Sequence, residues 1–219
     1  MCPPGVRRPA GSTQAKRPHP CGPGRGGRRG DHTLSGVPFW SASLTDATLG
    51  IVRVWATEAG IRRLDFHSDT SEASPGETLL SPKPPPQHLT HTLTAVQDYL
   101  TGRLRTFDLP LDLSAVTPFQ LRVYQRLLGI PYGHIATYGE VARDIGGEAN
   151  TARAVGRAVG ANPINIVVPC HRVVGADGKL TGFGGGLPRK AALLRIEGIE
   201  VDGTTPSSRV HPEVIRFQL

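Results

Sequence analysis

The chain has 219 residues, a formal net charge of +7, 38% hydrophobic and 20% charged residues, which suits one large or two small globular domains. No run of about 18 consecutive apolar residues is present, so a membrane-spanning helix is excluded, and the basic N-terminus lacks the apolar stretch of a signal peptide. Three cysteines, far apart at Cys2, Cys21 and Cys170, argue against a disulfide framework and for a reducing interior; the expected location is the cytoplasm, or the nucleus in a eukaryote.

The charge is unevenly placed. Residues 1–36 carry seven Lys/Arg against Asp31 alone, a net +6. Residues 37–129 come to −1, residues 130–199 to +3 and residues 200–219 to −1. The part able to fold is therefore nearly neutral, and composition alone supports only weak attraction to nucleic acid.

Residues 1–36 hold eight Gly and six Pro without an apolar period, and read as a disordered tail. From Phe39 to His67 the pattern is that of strands. Val52 and Val54 share one face, Ile51, Arg53 and Trp55 the other, and a turn at Glu58-Ala59-Gly60 precedes Ile61, Leu64 and Phe66. A hairpin or small antiparallel sheet is expected. Ser68–Pro86 reads as a loop. Leu89, Leu93, Val96, Tyr99 and Leu100 recur at helical spacing, closed by Gly102.

Asp112 to Pro118 is the expected linker, dividing residues 37–114 from 115–203, with 204–219 as a C-terminal tail. Thr117-Pro118 starts a helix with Phe119, Val123, Leu127 and Leu128 on its apolar face, and Pro131-Tyr132-Gly133 breaks it. Two short helices are expected near Tyr138–Ile145 and Asn150–Gly160, split by Gly146-Gly147, a pattern compatible with a helix-turn-helix and equally with an all-helical core.

Ile164, Ile166, Val167 and Val168 form an apolar, strand-like run ending on Pro169-Cys170-His171-Arg172. A thiol reacts as thiolate and needs a nearby base or positive field. His171 is adjacent in sequence, but neighbours on an extended segment point apart, so contact needs a turn or a bridging water. On spacing alone an inert core cysteine is an equal reading.

Pro169-Cys170-His171-Arg172-Val173 resembles the acceptor-cysteine motif of the O6-alkylguanine-DNA alkyltransferases, the methylated-DNA–protein-cysteine methyltransferases. Thr137-Tyr138-Gly139-Glu140-Val141-Ala142, Ala152-Arg153-Ala154-Val155-Gly156, Asn162-Pro163, Gly178 through Gly186 and Lys190 through Glu197-Gly198 follow the family's order. The likeness is close over 117–198 and loose over 39–116. It implies an α+β protein: an N-terminal ribonuclease-H-like small sheet plus helix, and a mostly helical, winged-helix-like C-terminal domain with a helix-turn-helix.

The resemblance also implies roles. Cys170 accepts an alkyl group irreversibly, His171 acts as base through a water, Glu197 orients the imidazole, and Asn162 braces the turn. Lys190 polarises or protonates the departing O6, unless it is simply a solvated helix-face lysine. Arg153 replaces an extruded nucleotide, Tyr138 rotates the phosphate and bonds the flipped base, and Phe183 packs on that base. Thr137, Ala152, Val173, Gly184 and Gly185 complete the DNA and base contacts. Family members often carry Tyr and Ser where Phe183 and Gly184 stand, so a hydrogen bond from that loop to O6 must come from backbone. The expected partner is double-stranded DNA carrying O6-alkylguanine, with O4-alkylthymine a second candidate substrate. No metal or organic cofactor is implied, and a monomer is expected. The alternatives are a lesion binder without chemistry and an alkylation-sensing DNA-binding protein.

Overall fold

The computed structural model describes residues 38–67, 83–147 and 151–211. The expected tail with Cys2 and Cys21, most of the Ser68–Pro86 loop and residues 212–219 lie outside them.

Three antiparallel strands, β1 (Trp40–Asp46), β2 (Gly50–Ala56) and β3 (Ile61–His67), form a sheet in sequence order. The register places Val52 between Leu44 and Phe66, and Val54 between Ala42 and Leu64. That face is apolar and meets helix α1 (Gln87–Leu100), whose Leu89, Val96 and Tyr99 join the same core. The opposite face carries Trp55, only 1% exposed. The Arg53 and Arg63 guanidiniums lie 5.9 and 5.3 Å from its ring centre, and the His67 ring is 5.9 Å away. Cation–π contact therefore buries an aromatic on a polar face.

The segment expected as a linker begins as part of the sheet edge. Ile61 N–H donates to Pro110 O and Asp112 N–H to Ile61 O, both at 2.8 Å. The buried Asp112 carboxylate accepts from Thr57 (2.7 Å) and Arg62 (2.9 Å). Burial would raise its pKa, but bonds from Ser114, Thr57 and Arg62 prevail and hold it at about 2.

Helix α2 (Pro118–Leu128) starts where Thr117-Pro118 predicts, with a complete capping box between Thr117 and Gln120. Helix α3 (Tyr138–Asp144) repeats the device with Thr137 and Glu140. Each cap contributes about 1 kcal/mol and fixes where the helix begins. Gly146, at φ 73°, turns the chain out of α3, and helix α4 (Thr151–Gly160) packs back on α3 and α2. Tyr124 of α2 donates to Ala158 O of α4 at 3.0 Å.

The run Ile164–Val168 is buried as expected but is not a strand. Only Ile164 bridges to a strand residue, Leu64; Val168 N–H then donates back to Ile164 O at 3.0 Å, and Ile166 sits at φ 69°. A β-branched residue in the left-handed region costs on the order of 1–3 kcal/mol. Asn162 holds the fold-back: its Oδ1 accepts from Ile164 N–H at 3.1 Å and its Nδ2 donates to Val168 O at 2.8 Å. Apolar β-branched composition signalled burial; a side-chain brace, not a ladder, decided the conformation. Cys170 to Arg172 then form a 3₁₀ turn leading into β5 (Val173–Val174), which pairs in parallel with β4 (Ala136–Thr137).

Helix α5 (Leu187–Ile196) closes the site from behind. Residues 199–211 dock rather than trail: Val201 pairs with Val210 and Lys179 with Arg209, and Ile199, Val201 and Val210 share a small core with Ile135, Leu180 and Leu194. Among the described residues no helix is long and apolar enough to cross a membrane.

Candidate active site

The 3₁₀ turn resolves the adjacency of Cys170 and His171, sending their side chains into one buried interior. Cys170 is 1% exposed. Its Sγ receives the Asn162 Nδ2–H bond at 3.0 Å and faces Asn165 Oδ1 at 3.6 Å. Burial pushes the thiol pKa up to about 11, although the Asn162 bond, the Lys190 charge and the backbone N–H groups of Cys170 and His171 pull the other way. In the free protein the thiol is protonated and shielded, while the donors that stabilise a thiolate are already in place.

Glu197, which ends α5, collects the polar groups around that interior. His171 Nε2 lies 2.8 Å from Oε1, and Arg172 grips both oxygens through Nε at 3.0 Å and Nη2 at 2.8 Å. Gly133 N–H donates to Oε2 at 3.0 Å, and Tyr99 O–H donates to Oε1 at 2.6 Å. Burial alone would raise the Glu197 pKa, but His171 and Arg172 outweigh it and leave it at about 2. An ionised carboxylate only accepts, so Nε2 carries the imidazole proton. Nδ1, without a protein hydrogen bond, keeps its lone pair and is the basic nitrogen. Burial lowers the His171 pKa, with Glu197 opposing; the ring is neutral and able to take a proton.

Lys190 is fully buried, not solvated. Its Nζ donates to Val173 O at 2.5 Å and Thr181 O at 2.9 Å. Desolvation brings its pKa down to about 8, with the Cys170 thiolate opposing.

An open cleft of about 540 Å³ is lined by Tyr138, Ala152, Arg153, Gly156, Gly160 and the loop Thr181–Gly184. Arg153 is exposed at its rim. The loop reaches the side chain that faces the thiol: a Cβ on Gly184 would lie 3.8 Å from Asn165 Oδ1. The Phe183 ring meets Phe66 of β3 in a tilted contact, ring centres 5.9 Å apart. A Cβ on Gly185 would come within 2.6 Å of Phe66 and 2.8 Å of Phe183, so only glycine permits that packing.

Cys170, His171, Glu197, Asn162 and Lys190 thus share one interior, and Tyr138, Ala152, Arg153, Phe183 and Gly184 share the cleft before it. Thr137 and Val173 do not line it: Thr137 caps α3 and Val173 is fully buried in β5. Three residues escaped the sequence reading. Arg172 stands within the Pro169–Val173 motif with no chemical signal of its own, and Tyr99 presents in sequence only a helix apolar face. Asn165, whose Nδ2 donates to Leu64 O at 2.9 Å and Asp65 Oδ1 at 3.1 Å, ties β3 to the thiol. A polar residue inside the run Ile164–Val168 was the available signal for Asn165.

Residues 118–199 match the family described as 6-O-methylguanine DNA methyltransferase, DNA binding domain, and residues 42–113 match its ribonuclease-like domain. The chain belongs to the 6-O-methylguanine DNA methyltransferase family. It is similar to the methylated-DNA–protein-cysteine methyltransferase of Mycobacterium bovis, 53% identical over 114 residues, covering 52% of this chain and 68% of that protein. The Salmonella typhimurium protein of the same description is 52% identical over 101 residues, 46% of this chain and 58% of that one. Among solved structures, the Mycobacterium tuberculosis O6-methylguanine methyltransferase superposes with a TM-score of 0.62 at 40% identity, covering 73% of this chain and 92% of that chain. A Mycobacterium tuberculosis OGT structure in complex with DNA gives 0.61 at 42% identity, covering 72% and 91%.

Proposed function

We propose that this chain is a DNA-repair methyltransferase in which Cys170 takes the alkyl group from O6-alkylguanine once and permanently. The observation that carries the reading is a buried thiol held by Asn162 and Asn165, next in the chain to a buried His171–Glu197–Arg172 cluster, with a cleft rimmed by Arg153 and Tyr138 nearby. In the reaction the S–H proton passes toward His171 Nδ1, and the sulfur electron pair forms the new C–S bond. The C–O6 pair stays on the oxygen, and the guanine regains one proton. The imidazolium formed is stabilised by Glu197, and the third N–H of Lys190 is a donor for the departing oxygen. The thioether product is not hydrolysed, so the protein does not turn over.

A base within a duplex cannot bring O6 to a sulfur this deeply buried, so the damaged nucleotide must be extruded into the cleft. On this reading α3 and α4 form the helix-turn-helix, α4 enters the minor groove, and Arg153 fills the gap in the stack. Ala152, Gly156 and Gly160 on the cleft side of α4 allow close approach of backbone. Phe183, braced by Phe66, packs on the base. The same pocket is the site for O4-alkylthymine, and the unit that acts is a monomer. A lesion binder without chemistry has no use for a thiol held by Asn162 before a neutral buried histidine.

The test is a titration of the protein with a duplex containing one O6-methylguanine. Lesion loss stops at one equivalent per protein on this reading. Continued turnover, or tight binding with the lesion intact, would contradict it.

A further inference from the structure

We propose that Tyr99, from helix α1, is a positioning residue for the alkyl transfer, holding His171 and Glu197 in their working orientation. This rests on the transfer reading above. The Tyr99 hydroxyl is fully buried and stands between two partners, donating to Glu197 Oε1 at 2.6 Å while its oxygen lies 3.1 Å from His171 Nε2. Having spent its proton on the carboxylate, the hydroxyl presents a lone pair to Nε2–H. Two acceptors, Glu197 Oε1 and Tyr99 Oη, then face the same nitrogen, so the proton stays on Nε2 and Nδ1 remains the base.

The hydroxyl is held in place independently of the histidine. The Tyr99 ring packs against Phe107 (5.3 Å), Tyr132 (6.0 Å) and the His171 ring itself (6.4 Å). Burial, reinforced by Glu197, raises its pKa well above the ordinary value, so it remains a donor throughout the working range. The sheet-and-helix half of the protein thereby contributes a group to chemistry otherwise assembled from residues beyond Thr117.

The charged and titratable groups facing His171 are Glu197, Arg172 and Lys190, with Cys170 beside it in the chain and Tyr132 behind Tyr99. Removing the Tyr99 hydroxyl takes one donor from Glu197 and leaves its charge less neutralised, which favours the imidazolium. Tyr99→Phe keeps the ring and deletes only the hydroxyl. Single-turnover methyl transfer is then expected to slow roughly tenfold, the scale of lost support behind a directly acting histidine. The acid limb of its pH profile moves to higher pH. In ¹⁵N spectra the His171 titration moves to higher pH with that limb, while the neutral ring keeps its proton on Nε2 through Glu197. Leu89→Ala is the control: it removes buried packing from the same helix ten positions before Tyr99, lowering Tm and leaving limb and nitrogen shifts where they were.

A His171 ¹⁵N titration unmoved in Tyr99→Phe, or an acid limb that stays put, overturns the proposal. A wild-type protein that leaves Cys170 unmethylated overturns the transfer reading, while the ¹⁵N result still decides whether Tyr99 acts on His171.

Discussion

Glu197→Gln isolates the electrostatic centre of the site. The carboxylate accepts from Tyr99, His171, Arg172 and Gly133, and its pKa falls from the ordinary 4.5 to about 2. At 1.36 kcal/mol per pH unit this difference corresponds to about 3 kcal/mol of folding free energy. Because the folded pKa is depressed, the stabilisation is present above about pH 5 and is lost as pH falls through about 2. The amide cannot neutralise the buried Arg172, and breaking one side of a buried ion pair costs about 3–5 kcal/mol. The two estimates agree. Urea denaturation from pH 7 to pH 2 reads both. The variant is expected to be less stable by about 3 kcal/mol at pH 7, and the difference from wild type shrinks toward zero near pH 2. Asp112, also held at about 2, titrates in both proteins and cancels. A Glu197→Gln protein that loses stability in acid as steeply as wild type would refute the assignment.

The free thiol should react with iodoacetamide at a rate still climbing about tenfold per pH unit at pH 10, as a pKa of about 11 requires; a plateau near pH 9 would mean that burial does not govern it. Gly185→Ala should displace Phe183 and slow transfer, since its Cβ meets Phe66 at 2.6 Å, whereas Gly184→Ala, with only a 3.8 Å contact, should keep near wild-type rates. Single-turnover rates of the pair check this, and equal effects would remove the packing argument. Arg153→Ala should weaken extrusion of the damaged base, read by 2-aminopurine fluorescence, by about a few kcal/mol, the scale of one unfilled base step. Its Tm should be unchanged because Arg153 is exposed.

Local rules carried much of the fold. Alternation in β2, the Thr117-Pro118 start and the spacing of Leu89, Val96 and Tyr99 each had one physical solution, and the structure contains it. The run Ile164–Val168 did not: five residues that read as a strand are folded back by Asn162, eight positions before the cysteine it also bonds. Docking of residues 199–211 was illegible for a similar reason, since Val201 and Val210 are short apolar signals with meaning only against Leu180 and Leu194. Within the site, the motif order brought Cys170, His171 and Glu197 forward. Tyr99 stayed hidden because a tyrosine on an apolar helix face looks the same whether its hydroxyl meets water or a carboxylate 98 residues away. Lys190 was ambiguous until burial settled it.

Alkyl transfer would form its new bond at the sulfur of Cys170, and peptide mass spectrometry after incubation with an O6-methylguanine duplex examines that atom directly. One methyl group on the peptide holding Cys170, absent from Cys170→Ala and from protein given undamaged DNA, is the result predicted. A repaired duplex with Cys170 unmodified would contradict it.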